Sequence, residues 1–318
     1  MVYKPEILLL TSVEDFTVDY IIQEIQNREI QYIRINSENF DRIDVSYSPS
    51  GLFTLHIDGN EYILDKVESV YFRRVPNKFP FLNHSKYQKF GNREWQHFLE
   101  GSLNTLDASW INPYFSTLTA EKKALQLHLA KALGLEIPAS LISNSKKRIL
   151  EFIDFHKKVI VKPVSHGLIS DSENSFYSFY TQEIQAKDFT DKNDRYDLPI
   201  YLQEKIPNEY DLRVTVVGNK IFPVKIFKSD SDSEVDWRKP AVIKEYEKIN
   251  LPETLTDKIL KLNKRLNLTY SAMDFIHTNN NFVFLEVNPA GEWVWLDLEL
   301  KLNIRESIVD LMLKSRNV

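Results

Sequence analysis

The chain has 318 residues, enough for two or three packed units, and at 43% hydrophobic it can bury a sizeable core. A net charge of −5 offers no basic field to nucleic acid, and the absence of cysteine excludes disulfides, thiolate catalysis, zinc–thiolate sites and iron–sulfur clusters. No apolar run approaches a membrane span and the N-terminus is no signal peptide, so a cytoplasmic protein with neither nucleic-acid nor membrane partners is expected.

In chain order, residues 7–10 read as a buried strand, and residues 18–30 as a helix with Val18, Ile21, Ile22 and Ile25 on one face. Residues 32–35 read as a second strand, and this βαβ opening implies a parallel sheet. Residues 53–57 and 62–64 flank Asp58-Gly59-Asn60 as a hairpin, and residues 67–72 form a strand that delivers Arg73 and Arg74 to its C-terminal end. Residues 87–106 read as a helix with Trp95, Phe98, Leu99, Leu103 and Leu106 on one stripe, and Trp110-Ile111-Asn112-Pro113 marks a boundary. A helix over 120–133 follows, capped by Gly134, then a strand at 141–143, a short helix at 148–155 and a buried strand at 159–163. Residues 165–192 read as a mobile loop or lid with a strand around 176–180. Strands are expected at 201–205, 212–217 and 221–227, an acidic loop at 229–234, and helices at 255–266 and 296–313.

The chemistry concentrates in the stretch MDFIHTNNNFVFLEVNP from Met273. Thr278-Asn279-Asn280-Asn281 reads as a turn between two strands, with Glu286 and Asn288 on one face of the second and Asp274 facing them from the first. Three oxygen ligands on one side of a sheet suit Mg²⁺, which keeps phosphate and water ligands as well. The plainer alternative is a strand with one polar face in solvent. Lys162, leaving a core strand, and Lys123, on the following domain's first helix, can approach a phosphate, or they can be ordinary solvated lysines. Gln203, Glu204, Lys205 and Ile206 follow an apolar strand and can meet an adenine edge, or form an edge strand of alternating polarity. Arg213 can hold a carboxylate or phosphate in two-pronged fashion, with Asp211 orienting it or taking a ribose hydroxyl, or the two form a surface ion pair. Lys225 and Lys228 end the next strand, and Asp236-Trp237-Arg238 follows the acidic loop. With 8 glycines the chain has neither a GxxxxGK[ST] nor a GxGxxG loop, and the seven histidines show no metal spacing such as HExxH.

Taken in order, these residues resemble the ATP-grasp superfamily, an α/β (α+β) fold, and within it the graspetide maturases, the microviridin-type peptide ligases. The resemblance is carried by YFRRVP from Tyr71, WINP from Trp110, KALQLHLAKALGLEIP from Lys123, KP at Lys162, YLQEKI from Tyr201, DLRVTVVG from Asp211, DWR from Asp236, MDFI from Met273 and FLEVNPAGEWVWL from Phe284. Glu292 stands where the family pattern suggests glutamine, and Asp297 where it suggests glutamate. The resemblance implies an N-terminal pre-grasp domain over 1–112, a central subdomain over 113–202 and a C-terminal subdomain over 203–318, with ATP between the last two. It implies ATP and Mg²⁺, the metal on Asp274, Glu286 and Asn288, the nucleotide on Lys123, Lys162, Asp211 and the segment Gln203 to Ile206, and Arg213, Arg238 and Lys225 as catalytic cations. The implied partner is a ribosomally made precursor peptide, leader plus core, whose carboxylate becomes an acyl phosphate and then a ring ester or amide. A homodimer is also expected. A different ATP-grasp ligase and an inert binding protein on the same fold are the other readings. The first would ligate amino acids or small metabolites, and the intact Asp274, Glu286 and Asn288 set argues against the second.

Overall fold

The computed structural model describes residues 1–50, 52–73, 86–165, 168–170, 176–179, 181–190, 193–228 and 244–314. Arg74, Arg238 with Asp236 and Trp237, the acidic segment 229–234 and parts of 165–192 lie outside them.

The first unit comprises β1 (Val2–Tyr3), β2 (Ile7–Thr11), α1 (Phe16–Asn27), β3 (Tyr32–Asn36), β4 (Asp44–Ser48), β5 (Leu52–Ile57), β6 (Asn60–Ile63), β7 (Ser69–Phe72), α2 (Gln88–Leu103) and β8 (Ser109–Ile111). A parallel sheet runs β3-β2-β7-β8, and a second sheet runs β1-β6-β5-β4. Successive residues of β2 leave on opposite faces. Ile7 and Leu9 pack against Val18, Ile21 and Ile25 of α1, while Leu8 and Leu10 pack with Phe53, Leu55 and Leu99. The helix begins where it does because the Asp15 carboxylate accepts from the Thr17 and Val18 amides at 3.1 and 3.3 Å.

The second group comprises α3 (Tyr114–Ala120), α4 (Lys123–Ala132), β9 (Ser140–Ser145), α5 (Lys146–His156), β10 (Val159–Lys162), β11 (Leu168–Ser170), β12 (Phe176–Ser178), β13 (Gln182–Ile184) and β14 (Arg195–Glu204). The expected helix over 120–133 is α4, which starts at Lys123, and Ala120 instead closes the preceding α3. The chain turns extended at Lys122 (ψ 103°), and the freed Ala120 carbonyl accepts from the Gln126 side chain at 2.6 Å. Gly134 (φ +74°) closes α4 in a Schellman arrangement, with Gly134 N donating to Lys131 O at 2.9 Å and Leu135 N to Ala130 O at 3.0 Å. The antiparallel sheet β13-β10-β14-β9 is covered on one face by Ile149 and Ile153 of α5, which meet Val159 and Leu202. Its register pairs Lys162 with Tyr201 and Ile160 with Gln203, so Lys162, Tyr201 and Gln203 share the other face.

The last group comprises β15 (Tyr210–Val217), β16 (Lys220–Lys228), β17 (Lys244–Lys248), α6 (Glu253–Arg265), β18 (Tyr270–Thr278), β19 (Asn281–Asn288), α7 (Val294–Leu300) and α8 (Ile304–Leu313). The expected helix over 296–313 is two. Lys301 (φ 49°) and Asn303 (φ 62°) are left-handed, and the buried Asp297 carboxylate caps α8 by accepting from Ile304 N at 2.9 Å. The sheet β17-β16-β15-β18-β19 buries Leu212, Val214, Met273, Phe275 and Phe284 against Leu127 and Ala130 of α4 and Ile259 and Leu262 of α6. The last helix crosses back to the first unit, where Ile304, Ile308 and Met312 join the core of Ile7, Leu9, Ile21 and Tyr71.

One buried side chain bolts the units together. Asn112 donates to Tyr270 O at 2.8 Å and Pro289 O at 2.9 Å, and its Oδ1 accepts from the backbone amides of Thr269 and Tyr270, both at 2.8 Å. Asn112→Ala leaves two amides and two carbonyls without that partner, at a cost of about 3 kcal/mol or more. The expected result is a clearly lower urea midpoint by circular dichroism; an unchanged midpoint contradicts the bolt.

Candidate active site

The hairpin of β18 and β19 turns through Asn279 and Asn280, both left-handed at φ 47° and 62°, the geometry of a two-residue turn. The register places Asp274 opposite Glu286 and Ala272 opposite Asn288, with a bulge beyond Asp274. Asp274, Glu286 and Asn288 therefore share one face, as the alternation of the sequence suggests.

Each of these groups meets a cation or a fixed donor. Arg213 on β15 lies opposite Asp274, and its Nη1 donates to Asp274 Oδ1 and Oδ2 at 2.8 and 2.9 Å. Burial works against the Arg213 charge, but the Asp274 carboxylate outweighs it and holds the guanidinium above its ordinary pKa. Arg213 Nη2 donates to Glu292 O at 3.1 Å, and Nε is buried without a hydrogen-bond partner among the described residues. Lys123, the first residue of α4, donates to Glu286 Oε2. Asn288 Oδ1 accepts from Ala290 N at 3.0 Å.

Across from this hairpin, Lys162 Nζ donates to Gln203 Oε1 at 3.0 Å, and Gln203 Nε2 donates to Tyr201 Oη at 2.9 Å. Burial pushes the Tyr201 phenol up to about 12, and the nearby Glu286 charge adds to the shift. The lysine strand and the metal-type hairpin thus meet around Tyr201, Glu286 and Lys123.

Other expected groups are placed differently. Asp211, offered as the residue that orients Arg213, accepts from Asn208 Nδ2 at 3.1 Å; Asp274 is the carboxylate that holds the arginine. In the segment whose backbone is expected to meet adenine, the amides of Glu204, the last residue of β14, and of Lys205 donate to Ala139 O and Lys158 O at 2.9 Å each. The Gln203 side chain is fully buried, Lys205 Nζ reaches Glu183 at 2.5 Å, Glu204 Oε2 lies 3.8 Å from His156, and Ile206 is half-buried. Lys225 pairs with Leu212 in register and so projects from the face opposite Arg213, where its Nζ sits 5.2 Å from the Tyr210 ring and 3.4 Å from Glu247. It does not join Arg213. Arg238 lies outside the described residues.

The structure adds residues that the sequence reading treated as peripheral. Arg73 is 1% exposed and reaches the Ala290 and Gly291 carbonyls. Gly291 carries no side chain for a physical reason, since a Cβ there would stand 2.4 Å from Ala272 Cβ and 2.8 Å from Arg213 Nη2. One of only eight glycines, directly after Asn288-Pro289-Ala290, was the available signal.

No three His, Asp, Glu or Cys side chains converge as a metal cluster among the described residues. Two carboxylates and a carboxamide supply too few oxygens for a closed cage, and they fit a hard cation that completes its shell with phosphate and water. The Lys123 ammonium against Glu286 shows that this position accepts positive charge.

The Arg213–Asp274 pair is buried on both sides, with side-chain exposures of 7% and 10%. Arg213→Ala strands the carboxylate and is expected to cost about 3–5 kcal/mol, whereas Arg213→Met with Asp274→Leu costs less than the single change. Chemical denaturation of the two variants decides this; an Arg213→Ala variant as stable as the parent refutes it.

Comparison with known proteins places this geometry. Residues 6–117 match the MvdD pre-ATP grasp domain, and residues 120–312, more than half the chain, match the RimK-like ATP-grasp domain. The chain is 26% identical to macrocyclase MdnC from Microcystis aeruginosa MRC, solved bound with precursor peptide MdnA, over 97% of this chain and 99% of that chain at a TM-score of 0.84. A RiPP-associated ATP-grasp ligase of Chryseobacterium gregarium, solved in complex with ADP and a leader and core peptide, shares the fold at 24% identity and a TM-score of 0.87, covering 97% and 96% of the two chains. Tetrahydromethanopterin:alpha-L-glutamate ligase of Methanocaldococcus jannaschii is 22% identical over 212 residues, 64% of this chain and 70% of its own length. No helix of the described residues is long and apolar enough to cross a membrane. Because the match over residues 120–312 spans more than half of the sequence, the chain belongs to the RimK-like ATP-grasp family of ligases.

Proposed function

We propose that the protein is an ATP-dependent peptide macrocyclase that joins Asp or Glu side chains of a precursor peptide to Ser, Thr or Lys side chains of the same peptide. The observation that carries this is the end-to-end likeness to a precursor-bound macrocyclase, pre-grasp unit included, combined with the Asp274, Glu286 and Lys123 constellation. Supporting it, the Chryseobacterium ligase with the same fold was solved with ADP and both peptide segments.

The peptide carboxylate oxygen attacks the γ-phosphorus of ATP, the bond to the β–γ bridging oxygen breaks, and ADP leaves. The hydroxyl or amine of the same peptide then attacks the acyl carbon, inorganic phosphate leaves, and the nucleophile's proton passes to solvent. Asp274, Glu286 and Asn288 would hold Mg²⁺, which supplies charge neutralisation to the phosphates. Lys123 and Lys162 place ammonium charge where phosphate oxygens lie, and Asp211 and the Gln203 to Ile206 segment border the nucleoside. Two anions must meet in one site, so a fixed positive charge is required. Arg213 provides it beneath Asp274, with its two Nη groups committed to Asp274 and the Glu292 carbonyl. Arg238 supplies a further cation toward the peptide, and Lys225 is set apart by its face.

The second reading, ligation of a free amino acid to another acceptor, rests on the relation to the glutamate ligase, which spans less of the chain. Intact mass spectrometry separates the two readings. A leader–core peptide with Thr, Ser or Lys and Asp or Glu, incubated with ATP and Mg²⁺, is expected to lose one water mass per ring with one ADP formed per ring. A gain of an amino-acid residue from free glutamate supports the second reading, and AMP as product sinks both.

Glu286→Gln and Lys162→Ala probe the phosphate site. Removing the Glu286 charge is expected to lower ADP formation by at least about a hundredfold with the fold intact, and Lys162→Ala to weaken nucleotide binding at least about tenfold. Near-normal turnover in the Glu286 variant excludes its metal role.

A further inference from the structure

Arg73 directly follows β7 in the first unit, and its guanidinium is spent on groups from two distant parts of the chain. Its Nε lies 3.2 Å from Asp15 Oδ2 and its Nη2 3.3 Å from Thr17 Oγ1, both at the start of α1. On the other side Nη1 donates to Ala290 O at 2.9 Å and Gly291 O at 3.3 Å, and Nη2 lies 2.7 Å from Glu292 Oε1. Thr17 Oγ1 donates to Glu292 Oε2 at 2.5 Å, so the carboxylate found where the family pattern suggests glutamine closes this network. Burial opposes the Arg73 charge, but Tyr71, Glu292, Tyr270 and Asp15 hold it above the ordinary arginine range.

The segment that Arg73 grips is the one that shapes the metal-type face. The amide of Ala290 donates to Asn288 Oδ1, while the carbonyl of the same residue is held by Arg73. Gly291 O also accepts from Tyr270 Oη at 2.6 Å, and Glu292 O accepts from Arg213. A carboxamide oxygen has two lone pairs, so one taken by Ala290 N leaves the other aimed by it.

We propose that Arg73 is a positioning residue of the active site: by fixing the Ala290 and Gly291 carbonyls it aims the Asn288 carboxamide and seats Arg213, which makes the N-terminal unit part of the metal and phosphate site. This rests on Asn288 being a metal ligand, as proposed above. Outer groups that orient a ligand typically matter about 10–100-fold in metal affinity.

The test measures Mn²⁺ binding to the full-length protein–ADP complex by the paramagnetic resonance signal of free Mn²⁺, with circular dichroism and metal-free ADP binding recorded alongside. Arg73→Lys keeps the charge but not the fork, and is expected to weaken Mn²⁺ binding about tenfold with metal-free ADP binding unchanged. Asn288→Ala is expected to weaken it as well, and the double variant no further, because Arg73 acts through Asn288. If Asn288→Ala leaves Mn²⁺ affinity unchanged, the metal reading itself fails. If Asn288→Ala weakens binding but folded Arg73→Lys does not, or if the two effects add in full, the Arg73 proposal is overturned. Should Arg73→Lys not fold, the half-exposed Glu292→Ala replaces it, with about threefold weaker Mn²⁺ binding expected and parental affinity overturning the proposal.

Discussion

Two buried guanidinium groups need acceptors, and the loop from Pro289 to Glu292 supplies them to both. Arg73 comes from the parallel sheet of the first unit and Arg213 from the antiparallel sheet of the last, and they close on the same four residues. A cation removed from water is tolerated only when carboxylates and carbonyls surround it. Asp15 and Glu292 satisfy Arg73, and Asp274 satisfies Arg213. Gly291 is the steric condition for this arrangement, because any side chain there would collide with Ala272 and with Arg213 itself. The position of the metal-type face follows from that loop, since Asn288 enters it directly.

Chain segments and spatial units do not coincide. Helix α4 follows the boundary at Asn112 and precedes the central sheet, yet Leu127 and Ala130 belong to the core under the C-terminal sheet. Gln126 stitches it there by bonding both the amide and the carbonyl of Val287 on edge strand β19. That placement brings Lys123 onto Glu286. At the other end, α8 finishes the core of the first unit, so the N-terminal sheet cannot pack fully without the last residues of the chain. Asn112, at the end of the first unit, bonds the backbone of Thr269, Tyr270 and Pro289 in the last.

Sequence alone determined the elements with strong local physics. The βαβ opening, the hairpin with Asp274, Glu286 and Asn288 on one face, the Gly134 cap and the strand ending in Lys162 all rest on periods of two or 3.6 residues and on turn chemistry, which act over a few residues. Tertiary structure alone decided the rest. The expected helix over 296–313 breaks at Lys301 to Asn303, where two left-handed residues turn the chain and Asp297 caps the helix that follows, and the helix expected from Ala120 begins at Lys123, with Gln126 holding the Ala120 carbonyl. Asp274 rather than Asp211 holds Arg213, since cross-strand register is set by pairing partners far away in sequence. Lys225 falls on the opposite face for the same reason. Arg73 was legible as a charge but not as a clamp: a buried ion's role is fixed by the acceptors that surround it, and those come from residues 15 to 17 and 290 to 292, which only folding brings together.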